Sequence, residues 1–307
     1  MKYDAISFVP ERPFRAETSG IEFDTDRYCL SLDGAITLHL KTSYLNQFLS
    51  DTAPEQRQIR KWYFYTTHLN CLYLLLDSFV LRDLQLSYFN LEEITTQNTN
   101  VVSENGMSTF PRSHIHVPQI SPPQQSLPVP NSLLDLLNQA FNDLTLEFER
   151  IHVLSELAKS LAAYKSADFT TSLVLAWFLL ERFIEARWTH YLETENREFE
   201  HGQKRINADR RKTLNDHRSY PVSAKLQILE LAGKISFKQF FDLDILRDKR
   251  NEIVHPKRRD NSSSVTQGGS ENCGLAFELL QQFIEAEFDL QIPLNKGYSF
   301  LGVFERQ

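Results

Sequence analysis

Leu246-Arg247-Asp248-Lys249-Arg250-Asn251-Glu252-Ile253-Val254-His255-Pro256 is the stretch on which the reading of this chain turns. Arg250 lies four residues after Leu246 and three before Ile253, so on a helix it interrupts an apolar stripe. A charge in such a stripe must be paired or must line a site. Asp248, Asn251 and His255 follow the spacing i, i+3, i+7 and share a face. An Asn one turn before a His can hydrogen-bond the imidazole and fix its orientation. Pro256 disfavours helical geometry at the residue before it, so His255 is expected at the helix end, projecting from it.

The surroundings of this stretch read as helix. One helix is expected over about 237–254 and a shorter one over about 223–231. Phe169–Leu192 reads as another, and its run Leu173–Leu180 is too short for a bilayer, which needs roughly 20 residues. Leu133, Leu137, Phe141, Leu144, Phe148, Ile151, Leu154 and Leu161 mark one long amphipathic helix before it. Leu275, Leu279, Leu280, Phe283, Ile284 and Phe288 mark a last one behind the motif. Residues 196–220 read as a loop or ragged insertion, and 261–270 as a flexible loop.

Upstream the texture changes. Pro111, Pro118, Pro122, Pro123, Pro128 and Pro130 crowd one segment, which reads as an extended, helix-free linker ending in the helix start Asn131-Ser132. Thr95–Asn105 is polar and reads as part of that connection. Trp62, Tyr65, Leu69, Leu72, Tyr73, Leu76, Phe79 and Val80 recur at helical spacing, so a long buried helix is expected from about Pro54 to Leu86. Residues 1–50 read as short strands, with Asp33-Gly34 as a turn before the alternating Ile36–Leu40. The expected fold class is mainly α: a C-terminal antiparallel helical bundle over 131–307, a Pro-rich linker over 118–130, and a mixed α+β N-terminal region over 1–117.

Composition fits a globular chain. Of 307 residues, 41% are hydrophobic and 24% charged, which excludes a disordered or collagen-like chain. Cys29, Cys71 and Cys273 are odd in number and widely spaced, so neither a disulfide framework nor a CxxC metal site is expected. The start has no basic region followed by an apolar run, so no secretory signal is expected, and the localisation expected is cytoplasmic. The net charge of −7 hides an asymmetry. Residues 201–259 carry 15 Lys and Arg against 7 Asp and Glu, a net of +8, and the remainder carries −15. Phosphate attraction is one reason for such a segment, and a solvated face balanced by acidic neighbours is the other.

The stretch Arg250-Asn251-Glu252-Ile253-Val254-His255 resembles the signature of the HEPN family: Arg, four to six residues, then His, commonly with a polar residue directly after the Arg. The placement also resembles that family, with the motif at the end of a late helix in a bundle and one further helix behind it. The likeness covers about residues 131–290. Arg210 or Arg211 with His217 meets the looser spacing too, in a loop-like stretch without an Asn after the Arg.

The resemblance implies a metal-independent endoribonuclease of the toxin or host-defence sort, using no cofactor and cleaving RNA through its own 2′-OH. Arg250, His255 and Asn251 would be the catalytic residues. His suits general acid–base work and Arg suits charge growing on phosphorus. It also implies a homodimer through the HEPN-like domain, which unites two Arg250/His255 sets in one cleft. An antitoxin or other regulatory partner is a further expectation, and a membrane is not. The alternative is a non-catalytic HEPN-like module that binds RNA, a nucleotide or a partner protein.

Supporting positions are Glu181, the acid expected nearest Arg250, and Asp248. Expected RNA contacts are Lys204, Arg205, Arg210, Arg211 and Lys212, with Lys249, Lys257, Arg258 and Arg259 nearer the motif. The first group has no interleaved aromatics, so phosphate contact is expected there and base stacking is not. Each residue also has an architectural reading. Arg250 would pair with a buried Glu181 or Glu185, His255 would cap the helix, and Asn251 would be a capping residue. Glu181 and Glu185 alternate with Arg182 and Arg187 and read as an ion-pair network on a half-buried helix. His114-Ile115-His116 supplies two imidazoles on one face of a strand, an incomplete metal site best read as a polar loop. Trp62, Trp177 and Trp188 are expected in the core or at an interface.

Overall fold

The computed structural model describes residues 42–75, 131–145, 147–196, 204–255 and 269–294, residues 78 and 202, and strand segments 7–10, 14–17, 27–30, 36–39, 99–103, 106–109 and 126–129. Among these the chain is mainly helical. It divides into two compact units, one holding the described residues up to Ala162 and the other those from Ala163 onward. The linker expected over 118–130 falls mostly outside the described residues. Of that segment, residues 126–129 are described, and they form a strand.

In the first unit, β1 (Ser7–Pro10) pairs in parallel with β7 (Ser126–Val129). β2 (Phe14–Glu17), β3 (Arg27–Leu30), β4 (Ile36–His39), β6 (Gly106–Thr109) and β5 (Thr99–Ser103) lie in that order in one antiparallel sheet. Leu30 pairs with Ile36; residues 31–35, with the Asp33-Gly34 turn, lie outside the described residues. The hairpin of β5 and β6, in which Ser103 pairs with Gly106, replaces the first part of the expected connection. Its Thr and Val residues favour a pleated strand, and the polarity of the segment had hidden that preference.

Helix α1 (Thr42–Leu49) precedes a short 3-10 turn at Pro54–Gln56 and helix α2 (Arg57–Leu75). The expected helix is thus present to Leu75; its continuation to Leu86, with Leu76, Phe79 and Val80, lies outside the described residues, as do the side chains of Trp62 and Tyr73. Phe64, Tyr65, Leu69, Leu72, Leu74 and Leu75 are fully buried. The single helix expected over 133–161 is two, α3 (Asn131–Thr145) and α4 (Phe148–Lys165). The Glu147 carbonyl accepts from the Arg150 N–H at 3.0 Å and starts the second. The apolar positions stay in phase across this break, which is why periodicity does not reveal it.

The second unit contains helices α5 (Phe169–Glu195), α6 (Ala208–Leu214), α7 (Val222–Leu231), α8 (Phe237–Val254) and α9 (Gly269–Phe288). α4 ends in a Schellman turn, with Asp168 N–H donating to the Ala163 carbonyl and Ala167 N–H to that of Tyr164, both at 2.9 Å. Ala167 takes φ 59° there, a left-handed conformation that costs a residue with a Cβ about 1 kcal/mol. Asp168 then caps α5 by accepting from Thr171 N–H at 3.1 Å. α5 packs against α7, α8 and α9, and α8 also packs against α7 and α9. Trp177 and Trp188 are buried in it, together with Leu173, Ala176, Leu180, Phe183 and Ile184. α6 lies inside the expected loop: the Asn207 side chain caps it from Arg210 N–H at 2.8 Å, and the Trp188 indole N–H donates to the Leu214 carbonyl at 3.3 Å. Among the described residues, no helix is long and apolar enough to cross a membrane.

Cys71 and Cys273 are free and buried. Burial pushes both thiols up, that of Cys273 to about 11. The imidazole of His68 sits between Phe64, Phe141 and Phe148, with Nδ1–H donating to the Phe64 carbonyl at 2.7 Å. Burial lowers its pKa to about 4. Below pH 6.5 the unfolded chain binds a proton that the native chain does not, so stability falls as pH drops from about 6.5 to about 4. The loss is on the order of 3 kcal/mol. Amide-exchange protection over residues 64–75 should fall in that window in the wild type and fall less in a His68→Asn variant; identical pH profiles would contradict this assignment.

Candidate functional site

The motif helix α8 is set at both ends. Ser236 and Gln239 form a capping box, the Gln239 N–H donating to Ser236 Oγ and the Ser236 N–H to Gln239 Oε1, both at 3.1 Å. At the other end His255 is the C-cap, exposed, with its backbone N–H donating to the Asn251 carbonyl at 2.9 Å. Pro256 in the sequence explains why the helix stops there. Between these ends Asp242, Leu243 and Leu246 are buried and Arg250 continues their stripe, half-buried.

Arg250 has no carboxylate partner among the described residues. Its Nη1–H donates to Asn251 Oδ1 at 3.1 Å, and its Nε is buried with no hydrogen-bond acceptor. The guanidinium carbon stands 5.8 Å from the centroid of the Phe178 ring on α5. Asn251 therefore holds Arg250 in place, whereas the spacing had pointed to the imidazole. Asn251 is the adjacent residue, and a neutral amide oxygen is the acceptor within reach of the charge.

The neighbouring charges along α8 are matched. Asp248 accepts from Arg247 at 2.9 Å, and Arg247 also pairs with Asp244 at 2.8 Å. Lys249 pairs with Glu252 at 3.1 Å. Asp248 and Lys249, expected as a supporting acid and an RNA contact, thus sit in exposed pairs along α8 itself. Glu185 is taken by Lys225 of α7, at 2.5 and 2.7 Å, and lies 4.0 Å from His217. Arg187 reaches across to Glu287 of α9 at 3.2 Å and over the Phe283 ring at 4.4 Å. Glu185 and Arg187 thus pair with neighbouring helices, where an ion-pair network along α5 was expected. The Glu181 carboxylate, half-buried, makes no ion pair or hydrogen bond among the described residues. Phe178, Glu181 and Glu185 are spaced i, i+3, i+7 and share one face of α5, so Glu181 stands one turn from the ring beneath Arg250.

The basic cluster is elsewhere. Arg205 pairs with Glu195 at 2.9 Å and Arg211 with Glu193 at 3.7 Å, at the far end of α5 from Phe178. From residue 178 to residue 193 the helix rises about 22 Å. Lys204, Arg210 and Lys212 are exposed and have no carboxylate partner among the described residues. Two members of the cluster are thus balanced by acidic neighbours and three are open. Lys257, Arg258 and Arg259 lie outside the described residues, as do His114 and His116. Among the described residues no group of three or more His, Cys, Asp or Glu could hold a metal ion.

Two features escaped the sequence reading. Lys225 is fully buried, although its neighbours read as an ordinary amphipathic helix. Phe178 is 52% exposed, although the run Leu173–Leu180 reads as buried throughout. The signal was its spacing from Glu181, Arg182 and Glu185, which puts it on the polar side of α5. Neither family models, nor characterised proteins, nor solved structures give a match to the chain.

The Lys225–Glu185 pair makes a direct test of this arrangement. Glu185→Gln leaves an ammonium buried without its counter-charge and should cost about 3 kcal/mol. Lys225→Met leaves a half-exposed carboxylate that water can solvate, and should cost clearly less. Thermal unfolding of the two variants checks the order; a larger loss for Lys225→Met would contradict it.

Proposed function

We propose that the chain is a metal-independent endoribonuclease of the HEPN type, toxin or host-defence related, acting on RNA in the cytoplasm. On this reading residues 131–307 form the antiparallel HEPN-like bundle, behind a mixed α+β region over 1–117 and a linker over 118–130. The observation that carries it is Arg250: a half-buried guanidinium with no counter-ion among the described residues, a buried Nε without an acceptor, and the exposed His255 at the end of its own helix. A cation held away from water without a partner is costly, and a phosphate oxygen supplies both the charge and the acceptor.

In the reaction the substrate 2′-oxygen attacks its own 3′-phosphorus as its proton passes to a His255 imidazole. The P–O5′ bond breaks, and a second imidazole protonates the leaving oxygen. Arg250 stabilises the charge gathering on the non-bridging oxygens. The products are a 2′,3′-cyclic phosphate and a 5′-OH end. Two imidazoles require two chains, so the active species is a homodimer with two Arg250/His255 sets in one cleft.

The second reading is a non-catalytic module that binds RNA. It is favoured by Asn251, whose side-chain oxygen is engaged by Arg250 and leaves the imidazole without that support. Either reading sends the RNA backbone toward the open cations Lys204, Arg210 and Lys212.

His255→Ala and Arg250→Ala should each lower cleavage of mixed RNA by about 10²–10⁴, with EDTA without effect and Asn251→Ala partly impaired. Cleavage that survives the His255 change, or that needs a divalent ion, removes the mechanism; RNA binding without any cleavage selects the second reading. Affinity for RNA should fall steeply with added salt. Arg210→Glu with Lys212→Glu should weaken binding to all sequences alike, and more than Arg205→Glu, whose charge Glu195 already balances. Binding indifferent to salt would show that the segment is only a balanced surface.

A further inference from the structure

We infer that Phe178 is a stacking platform for one base of a single-stranded RNA, with the adjoining phosphate on Arg250; this rests on the RNA-directed reading above and names how that substrate is held. Phe178 sits between Trp177 and Leu179, both buried, yet is itself 52% exposed. Exposure of a Phe in the middle of a core helix forfeits part of the burial that its neighbours gain. The ring is not loose: the Arg250 guanidinium stands 5.8 Å from its centroid and orients it. The same guanidinium carries the buried Nε that lacks an acceptor.

Two unmet demands therefore meet at one place, an aromatic ring half exposed to solvent and a cation without an anion among the described residues. An apolar peptide meets only the first, and inorganic phosphate only the second. A nucleotide carries a flat base and a phosphate on one sugar and meets both. The base must be unpaired to offer its face, which makes the substrate single-stranded.

The test compares the full-length chain binding a single-stranded oligoadenylate and an abasic oligoribonucleotide with the same number of phosphates, by fluorescence anisotropy. The wild type should prefer the base-bearing strand about 5- to 150-fold, the range of one stacked base. Phe178→Ala should bind both strands equally, and Phe178→Trp should keep the preference. If the wild type prefers bases and Phe178→Ala prefers them as strongly, the stacking role is overturned while the RNA reading stands. If the wild type binds neither strand, the RNA reading fails and this inference with it. If Phe178→Ala instead turns a dimer into a monomer in sedimentation and leaves base preference intact, the ring belongs to a contact between copies, and the inference is overturned.

Discussion

Helix α5 is apolar on more sides than one neighbour can cover, and the second unit is organised by that constraint. Leu173, Ala176, Trp177, Leu180, Phe183, Ile184 and Trp188 are all buried, and α7, α8 and α9 each pack on the helix to bury them. Each large side chain removed from water contributes about 1.5–3 kcal/mol, so these contacts dominate whatever the surface charges add. One face is left partly open, from Phe178 through Glu181 to Glu185. The candidate chemistry lies along that line because it is where the helix meets polar groups of α7 and α8.

The cations on this framework that are held from water have carboxylate partners, and Arg250 is set against them. Lys225 is buried but has Glu185; Arg187 has Glu287; Arg247 has Asp244 and Asp248. The folded chain thus meets the usual demand that charges held away from water find partners. Arg250 occupies a core-stripe position where a Leu or Ile would pack, and meets only a neutral amide and the Phe178 ring. Its stripe position explains its partial burial, while its lack of an anion has no architectural explanation.

Legibility followed the physics of each feature. Long helices with one apolar face were readable, because burial imposes a 3.6-residue period on residues such as Leu137, Phe141 and Leu144. The stop at His255 was readable because Pro256 acts locally. The break between α3 and α4 was not, since it leaves that period unbroken. α6 was hidden because its seven residues are mostly polar and none is buried, and its anchor, the Trp188 indole on the Leu214 carbonyl, joins positions far apart in sequence. In the candidate site, the placement of Arg250 in an apolar stripe was readable from one helix. The buried Lys225 depends on which face of α5 meets α7, and a single helix's period does not contain that; the exposed Phe178 was signalled only by its spacing from Glu181, Arg182 and Glu185, and Asn251 has two acceptable partners, the adjacent Arg250 and the imidazole one turn on.

In the proposed mechanism Arg250 and His255 direct attack by the RNA's own 2′-OH. Mass spectrometry of the ends left on RNA by the purified chain is the sharpest test. The expected ends are 2′,3′-cyclic phosphate and 5′-OH, with loss of each cut where the 2′-OH is replaced by hydrogen. Ends bearing 3′-OH and 5′-phosphate, or cutting that persists at 2′-deoxy positions, would contradict it.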